Sequence, residues 1–272
     1  MKNAVFFDID GTLWDSHMRI PKTTVSSIRK LRDNGNFAFI CSGRSRAAIC
    51  TPELLDIGFD GVVASCGTHV EYQGRMVFEQ YMSQDEIKKI LSAVRRNKMR
   101  AILEGIEYMY VSSREFAGDP FVGYLKDLMG ERFLELEEDA FFSRINKISA
   151  DTTNGDTEGF IHMLSSEYEL IFHEERVVEI VPKGFSKAVG IQKVCEFLGI
   201  SRENTYAFGD SANVLEMLSY VYHGIAMGNG TKDVKEKADY VTDCVEKDGI
   251  QKALLHFGLI EYRGSGEIKW QI

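Results

Sequence analysis

The chain opens on a short apolar run, Val5-Phe6-Phe7, that meets two carboxylates one residue apart, Asp8 and Asp10, and then Gly11 and Thr12. A wholly apolar run of this length bounded by glycine predicts a strand buried on both faces of a parallel sheet. Side-chain alternation would send Asp8 and Asp10 from one face of that strand, about 6–7 Å apart. Val25, Ile28 and Leu31 then recur at helical spacing and predict a helix over Pro21–Asn34, with Gly35 as its stop. A second apolar strand, Phe37–Cys41, ends at Ser42-Gly43-Arg44. A helix is expected from Arg44 to Ile57, with Pro52 its weak point, followed by a third strand at Gly61–Ala64. Strand alternating with helix is the rhythm of a doubly wound parallel α/β sheet.

Near residue 68 the rhythm changes. Thr68–Tyr72 and Met76–Glu79 read as a hairpin turning at Gln73-Gly74-Arg75. An amphipathic helix (Gln84–Lys98), strands near 101–103 and 108–111, and a helix over Phe116–Met129 follow. A strand at 145–150, a helix at Thr157–Leu164 and a strand pair at 170–173 and 177–181 complete this part. The acidic run Glu135–Asp139 reads as a solvated loop. From Ser186 the parallel rhythm returns: helix 187–198, strand 205–208, helix 212–218, strand 221–227, helix 233–238, strand 240–241 and helix 249–257. The tail after Gly258 carries no clear pattern. The expected architecture is a Rossmann-like core in two parts, 1–80 and 184–272, interrupted by a large inserted α+β cap domain at 81–183. Ligand clefts favour such junctions.

Composition narrows the partners. The 272 residues carry a net charge of −9, which argues against nucleic acid or an anionic membrane as partner, since both need basic patches. A phosphorylated small molecule stays compatible, because a metal and a few local cations dominate a cleft. The five cysteines (Cys41, Cys50, Cys66, Cys195, Cys244) are widely spaced with no Cys-x-x-Cys pair. They read as reduced thiols of a cytoplasmic protein. No apolar run approaches the roughly 18 residues of a membrane span, and no signal peptide is read. Oligomeric state is not legible.

Chemistry-bearing residues fall at strand and helix ends: Asp8 and Asp10, Ser42-Gly43-Arg44, Lys187, and Gly209-Asp210-Ser211-Ala212-Asn213. Singly, each has an ordinary explanation as a turn, a cap or a surface lysine. Together they bring metal-type carboxylates, a nucleophile, a cation and hydroxyl and amide donors to the carboxyl end of one sheet, where ligands of open α/β sheets bind. Two like charges ending a buried strand need a cation or a proton between them.

With Pro182-Lys183-Gly184-Phe185-Ser186-Lys187, Ala226-Met227-Gly228-Asn229-Gly230 and Ala238-Asp239-Tyr240-Val241-Thr242 following in order, the chain resembles a haloacid dehalogenase-like (HAD) phosphohydrolase of the Cof-like branch. The resemblance runs from Val5 to about Gly258. It implies that Asp8 attacks phosphorus to form an aspartyl-phosphate, and that Asp10 serves as acid and base, a role asking for a raised pKa. It implies Mg²⁺ on the Asp8 carboxylate, the Asp10 backbone carbonyl and Asp210, with Lys187 neutralising Asp8 and the transferring group. Gly11, Thr12, Ser42, Gly43, Arg44 and Asn213 form the implied phosphate and substrate set. The implied substrate is a small phosphorylated metabolite, sugar phosphates first, with nucleotide-like cofactors such as pyridoxal phosphate or FMN behind them.

Two positions depart from the family pattern. Val214 stands where a further aspartate is usual, a loss of the kind that costs about 10–100-fold in metal affinity or activity. Cys66-Gly67-Thr68 replaces the usual Asn-Gly-Ala at the start of the cap. Two alternatives therefore stay open: a phosphate-ligand binding or regulatory protein with weakened catalysis, and a phosphomutase. In the cap, Glu104, Tyr108, Tyr110, Arg114 and His173 are either cleft residues or plain cap surface. A lid of this kind implies hinges near residues 81 and 183.

Overall fold

The computed structural model describes residues 2–137, 140–173 and 176–261. Its strands are β1 (Ala4–Phe7), β2 (Phe37–Cys41), β3 (Gly61–Ala64), β4 (His69–Tyr72), β5 (Arg75–Glu79), β6 (Arg100–Gly105) and β7 (Met109–Val111), then β8 (Phe133–Glu135), β9 (Ile145–Asp151), β10 (Tyr168–His173), β11 (Val177–Pro182), β12 (Thr205–Gly209), β13 (His223–Ala226) and β14 (Tyr240–Val241). One sheet runs β14-β13-β12-β1-β2-β3-β4-β5. It is parallel from β14 to β3 and antiparallel through the β4–β5 hairpin. From β1 the chain builds outward through β2 on one side and, much later, through β12 on the other. The carboxyl end of β1 is thus the switch point where open α/β sheets hold their ligands.

The apolar run of β1 is buried on both faces, as its pattern predicts. Val5 and Phe7 pack with Ile28 and Leu31 of the helix Lys22–Asp33 and with Ile250 and Leu254 of the helix Gly249–His256. Ala4 and Phe6 face the opposite layer, with Ile191 and Val194 of the helix Lys187–Leu198 and Met217 of the helix Leu215–Tyr220. Fully burying an aromatic side chain of this kind stabilises by about 1.5–3 kcal/mol, so Phe6 and Phe7 anchor the strand from both sides.

A second sheet, β10-β11-β9-β6-β7-β8, holds every strand between Arg100 and Pro182. Alternation sends Ala101, Leu103, Ile148, Ala150, Val178 and Ile180 toward the helices Gln84–Arg96 and Thr157–Leu164. The first of these helices starts where it does because Ser83 and Glu86 form a reciprocal capping box. On the other face Ile102, Met109 and Val111 pack with the helix Pro120–Met129 and with Ala47 and Ala48 of the first sheet's loops. The two sheets therefore meet through a small apolar seam.

Several elements differ from the sequence expectation. Arg44–Ile57 is not one helix but a 3₁₀ turn (Arg46–Ala48) and a single turn at Pro52–Leu55. Proline disfavours a helical residue before it and is at home in the first turn, so it starts a helix rather than sitting inside one. The helix expected from Phe116 begins at Pro120 for the same reason, with Asp119 accepting the Phe121 and Val122 N–H groups. Residues 212–218 divide into a 3₁₀ turn (Ala212–Val214) and the helix Leu215–Tyr220. Of the acidic stretch, Glu135 ends β8 and Leu136 is buried; 138 and 139 lie outside the described residues, as does the tail beyond 261. Among the described residues no helix is long and apolar enough to cross a membrane.

Candidate active site

β1 stops at Phe7, and Asp8 prolongs its ladder by donating its N–H to the Phe208 carbonyl at 3.1 Å. The Asp8 side chain is enclosed and meets the Lys187 ammonium at 2.9 Å, with 4% and 2% of the two side chains exposed. Lys187 enters from the first position of its helix and also donates to Asn213 Oδ1 at 3.3 Å, which accepts from the Ser211 hydroxyl at 3.0 Å. Burial raises the Asp8 carboxyl, and Lys187 pulls it part of the way back. Burial alone would lower Lys187, but the Asp8 charge outweighs it and keeps the ammonium protonated. A buried ion pair of this sort is costly to break, because either partner left alone is an uncompensated charge.

Asp210 follows β12 directly and accepts the Thr12 hydroxyl at 3.4 Å. Burial and the neighbouring Asp8 charge push it up to about 7. Gly11 makes this approach possible: its φ is +69°, and a Cβ there would overlap the Asp210 carboxylate. A carboxylate raised by burial and by its charged neighbour suits a nearby cation. Hard oxygen donors too few to form a closed cage suit Mg²⁺, which keeps several of its waters. Among the described residues no three His, Cys, Asp or Glu side chains converge into such a cage. The residues present fit the ion.

Asp10 is placed differently from the expectation of two carboxylates sharing one face. Its side chain is 57% exposed and turned to Arg44, which holds it by both nitrogens, Nε at 2.8 Å and Nη2 at 2.7 Å. Trp14 Nε1 donates to it at 3.1 Å, and the Arg44 guanidinium stacks over the Trp14 ring at 5.0 Å. Burial pushes the Asp10 carboxyl up, but the Arg44 hydrogen bonds and charge outweigh this and bring it below its ordinary range. The raised pKa expected for an acid is not what this arrangement gives; it gives a charged carboxylate whose two oxygens are held by Arg44. Ser42, almost wholly enclosed, accepts the Arg44 backbone N–H at 3.1 Å.

The two departures from the motif pattern have structural counterparts. Ser65, Cys66 and Gly67 have φ values of +49°, +53° and +88° in succession. Asparagine tolerates that region better than cysteine, so Cys66 is held by context: its thiol donates to Glu179 Oε2 at 3.2 Å. Val214 is fully enclosed, packs with Ala226, Met217 and Val234, and lies against Gly209, where a Cβ would collide with it. Its side chain is part of the core layer.

Of the second-sheet candidates, Glu104 is buried and lies 3.1 Å from Lys147, and His173 lies 3.1 Å from Glu179. Tyr108 instead lines a cavity of about 400 Å³ between the sheets, with Arg46, Glu71 and Arg132. Tyr110 belongs to the second sheet's apolar layer, and Arg114 is exposed. Sequence reasoning missed Lys147, Ser149 and Glu179. The signal was present as single polar residues inside otherwise apolar strands, Lys147 beside Ile148 and Glu179 between Val178 and Ile180.

The same chain of motifs is matched by a family model described as a haloacid dehalogenase-like hydrolase, over residues 5–254. The chain belongs to that family. A Bacillus subtilis (strain 168) relative named "Putative phosphatase YkrA" is 31% identical over 94% of this chain and 98% of its own length. The 5-amino-6-(5-phospho-D-ribitylamino)uracil phosphatase YitU of the same organism is 26% identical over 93% of this chain and 96% of its own. A solved HAD subclass IIB sugar phosphatase superposes with a TM-score of 0.83 at 26% identity, covering 95% of this chain and all of that one. This HAD protein is accordingly a phosphatase, a phosphoric monoester hydrolase of the Cof type.

Proposed function

We propose that this HAD phosphatase hydrolyses a small phosphorylated metabolite, a sugar phosphate in the first place, through a phosphoryl group carried on Asp8, in a Mg²⁺-dependent reaction in the cytoplasm. The observation that carries the reading is the enclosed Asp8–Lys187 pair at 2.9 Å with Asp210 beside it, at the switch point of the sheet. In this reading Asp8 Oδ attacks phosphorus, and Lys187 keeps the nucleophile and the transferring oxygens from repelling one another. Ser42, Gly43 and the Gly11 amide hold phosphate oxygens, Thr12 borders them with its N–H given to the Ile9 carbonyl and its hydroxyl to Asp210, and Asn213 fixes Lys187. Asp8, Asp210 and the Asp10 carbonyl would hold Mg²⁺, which neutralises the equatorial oxygens when bound. Asp10, charged in the arrangement described, takes the proton of the water that cleaves the phosphoaspartate. To protonate the leaving oxygen in the first step it must first release Arg44 and pick up a proton. The segment 81–183 acts as the cap that closes over the reaction, and the named sugar phosphatase neighbour supports the substrate class.

The test is release of phosphate from p-nitrophenyl phosphate with Mg²⁺ supplied. Asp8→Asn is expected to lower it by about 10³-fold or more. Turnover equal to that variant's in the intact protein would instead favour a phosphate-ligand binder. Transfer to a second sugar hydroxyl rather than to water would indicate a mutase.

A further inference from the structure

The segment Met227-Gly228-Asn229-Gly230 takes no part in the reaction described above, yet the loop between β13 and the helix Lys232–Lys237 brings it against the nucleophile's turn. That turn is wound around one atom. The Ile9 carbonyl accepts the N–H groups of Thr12, Leu13 and Trp14 at 3.2, 3.0 and 3.4 Å. Gly11 lies within it at positive φ, and glycine reaches either sign of φ at little steric cost. The turn is therefore least constrained by its own chemistry just where Asp210 abuts it. The constraint comes from outside: Asn229 Nδ2 donates to the Gly11 carbonyl at 2.7 Å, from 218 positions away in sequence. Oδ1 of the same amide accepts the Val245 N–H at 3.2 Å. Val245 is buried in one layer with Val5 and Ile250, so the amide is anchored on a fixed point.

The main chain of the same loop reaches Asp210. Thr231 donates its N–H to the Asp210 carbonyl at 2.8 Å, and Gly228 donates to the Asp243 carbonyl at 3.0 Å. A Cβ at Gly230 would stand 3.0 Å from the Asp210 carbonyl oxygen, and one at Gly228 2.6 Å from the Cys244 nitrogen. The loop is thus pressed between these two segments, and Asn229 is the position between the two glycines that carries a side chain. It meets Asp210 through its backbone and Gly11 through one amide.

We infer that Asn229 is a positioning residue for phosphoryl transfer: it fixes the peptide after Gly11 and so keeps the Asp8–Thr12 turn in register with Asp210. The inference rests on the phosphatase reading above. Reacting groups displaced by about 1 Å lose about 10²-fold in rate. Asn229 is exposed, and a hydrogen bond open to water contributes modestly, so the loss expected from its removal is smaller, about 10-fold. The Asp10 carbonyl and Asp210, proposed above for Mg²⁺, sit on the two segments this loop joins, so a loosened Gly11 also weakens the hold on the ion.

The experiment compares Asn229→Ala, Asn229→Asp and Asn229→Gln with the intact protein. Asp keeps the acceptor for Val245 and loses the donor for Gly11. Gln keeps both on a longer stem, at a position open to solvent. With p-nitrophenyl phosphate, kcat is expected to fall about 10-fold in Asn229→Ala and Asn229→Asp and to stay within about 3-fold in Asn229→Gln, with KM nearly unchanged. The Mg²⁺ concentration for half-activation is expected to rise about 5-fold in Asn229→Ala, which adds no charge. Amide hydrogen exchange over residues 8–14 is expected to quicken in both Ala and Asp variants, and over residues 243–248 in the Ala variant alone. If Asn229→Asp matches the intact protein in kinetics and in exchange over 8–14, Asn229 serves Val245 alone and the assignment is overturned. If the intact protein turns over no ester, the phosphatase reading fails separately. Exchange over 8–14 then decides the hold on Gly11: quickening in Asn229→Asp supports it, and no change overturns it.

Discussion

At the scale of single residues, Gly11 shows how little freedom the site has. Its positive φ and its closeness to Asp210 leave no space for a Cβ. Gly11→Ala is therefore expected to push Asp210 off its place and lower phosphatase activity about 10²-fold, while thermal unfolding shifts by only a few degrees; steady-state kinetics and a melting curve on one preparation check both. Asp8, Lys187 and Asp210 were legible from sequence because short motifs at strand ends announce them. The state of Asp10 was not, since it depends on Arg44 folding back across Trp14, a choice of rotamers that no spacing encodes. Val214 was legible as a missing carboxylate, but its role as core packing against Gly209 required the fold.

At the scale of elements, the β4–β5 hairpin holds a charge cluster that links it to the loop after β2. Glu71 of β4 accepts Arg46 Nε at 2.8 Å and lies 2.9 Å from His69 Nε2. Burial pushes the Glu71 carboxyl up, but the His69 and Arg46 contacts outweigh it and bring it down to about 2. A depressed folded-state pKa contributes stability that is complete above the unfolded value and is lost as the pH falls through the folded one. The loss should fall between about pH 4.5 and 2, and be worth about 2–3 kcal/mol. Glu71→Gln is expected to lower stability at neutral pH by about that amount and to flatten this part of the acid limb, as urea unfolding across pH would show. Most strands and the long amphipathic helices were legible because periodicity marks them, but β8 was not, since three residues running into an acidic stretch are too short to show alternation. The Arg44–Ile57 helix failed because Pro52 was weighed as a blemish inside a helix, when its ring suits only the first turn.

At the scale of the whole molecule, the chain leaves the first sheet after β5 and returns before Lys187 at nearly one point. Phe78 and Phe185 stack there at 5.8 Å. The second sheet is carried on two adjacent strands of chain, a geometry suited to hinge motion. Its contacts with the first sheet include the seam at Ala47 and Ala48, the reach of Glu179 to Cys66 and the pairing of Arg144 with Glu79 of β5. Binding of a phosphate analogue such as vanadate should slow amide hydrogen exchange near residues 81 and 183. Unchanged exchange there would count against a moving cap. The change of rhythm in the sequence is what leads one to expect such a unit, whereas its polar face, assembled from β6, β9, β10 and β11, has no local signature.

The order of strands has a further consequence for the chain as it is made. β1 is synthesised well before one of its two neighbours, β12, which pairs Thr205 with Ala4. At about 5–20 residues per second, that edge of β1 waits on the order of 10–40 s for its partner. The second sheet, whose strands are contiguous in the chain, is complete by Pro182 and is free to form within that interval. Biogenesis thus runs from the inserted unit to the nucleophile-bearing sheet, and an open, wholly apolar edge is the nascent chain's point of exposure to aggregation and to chaperones.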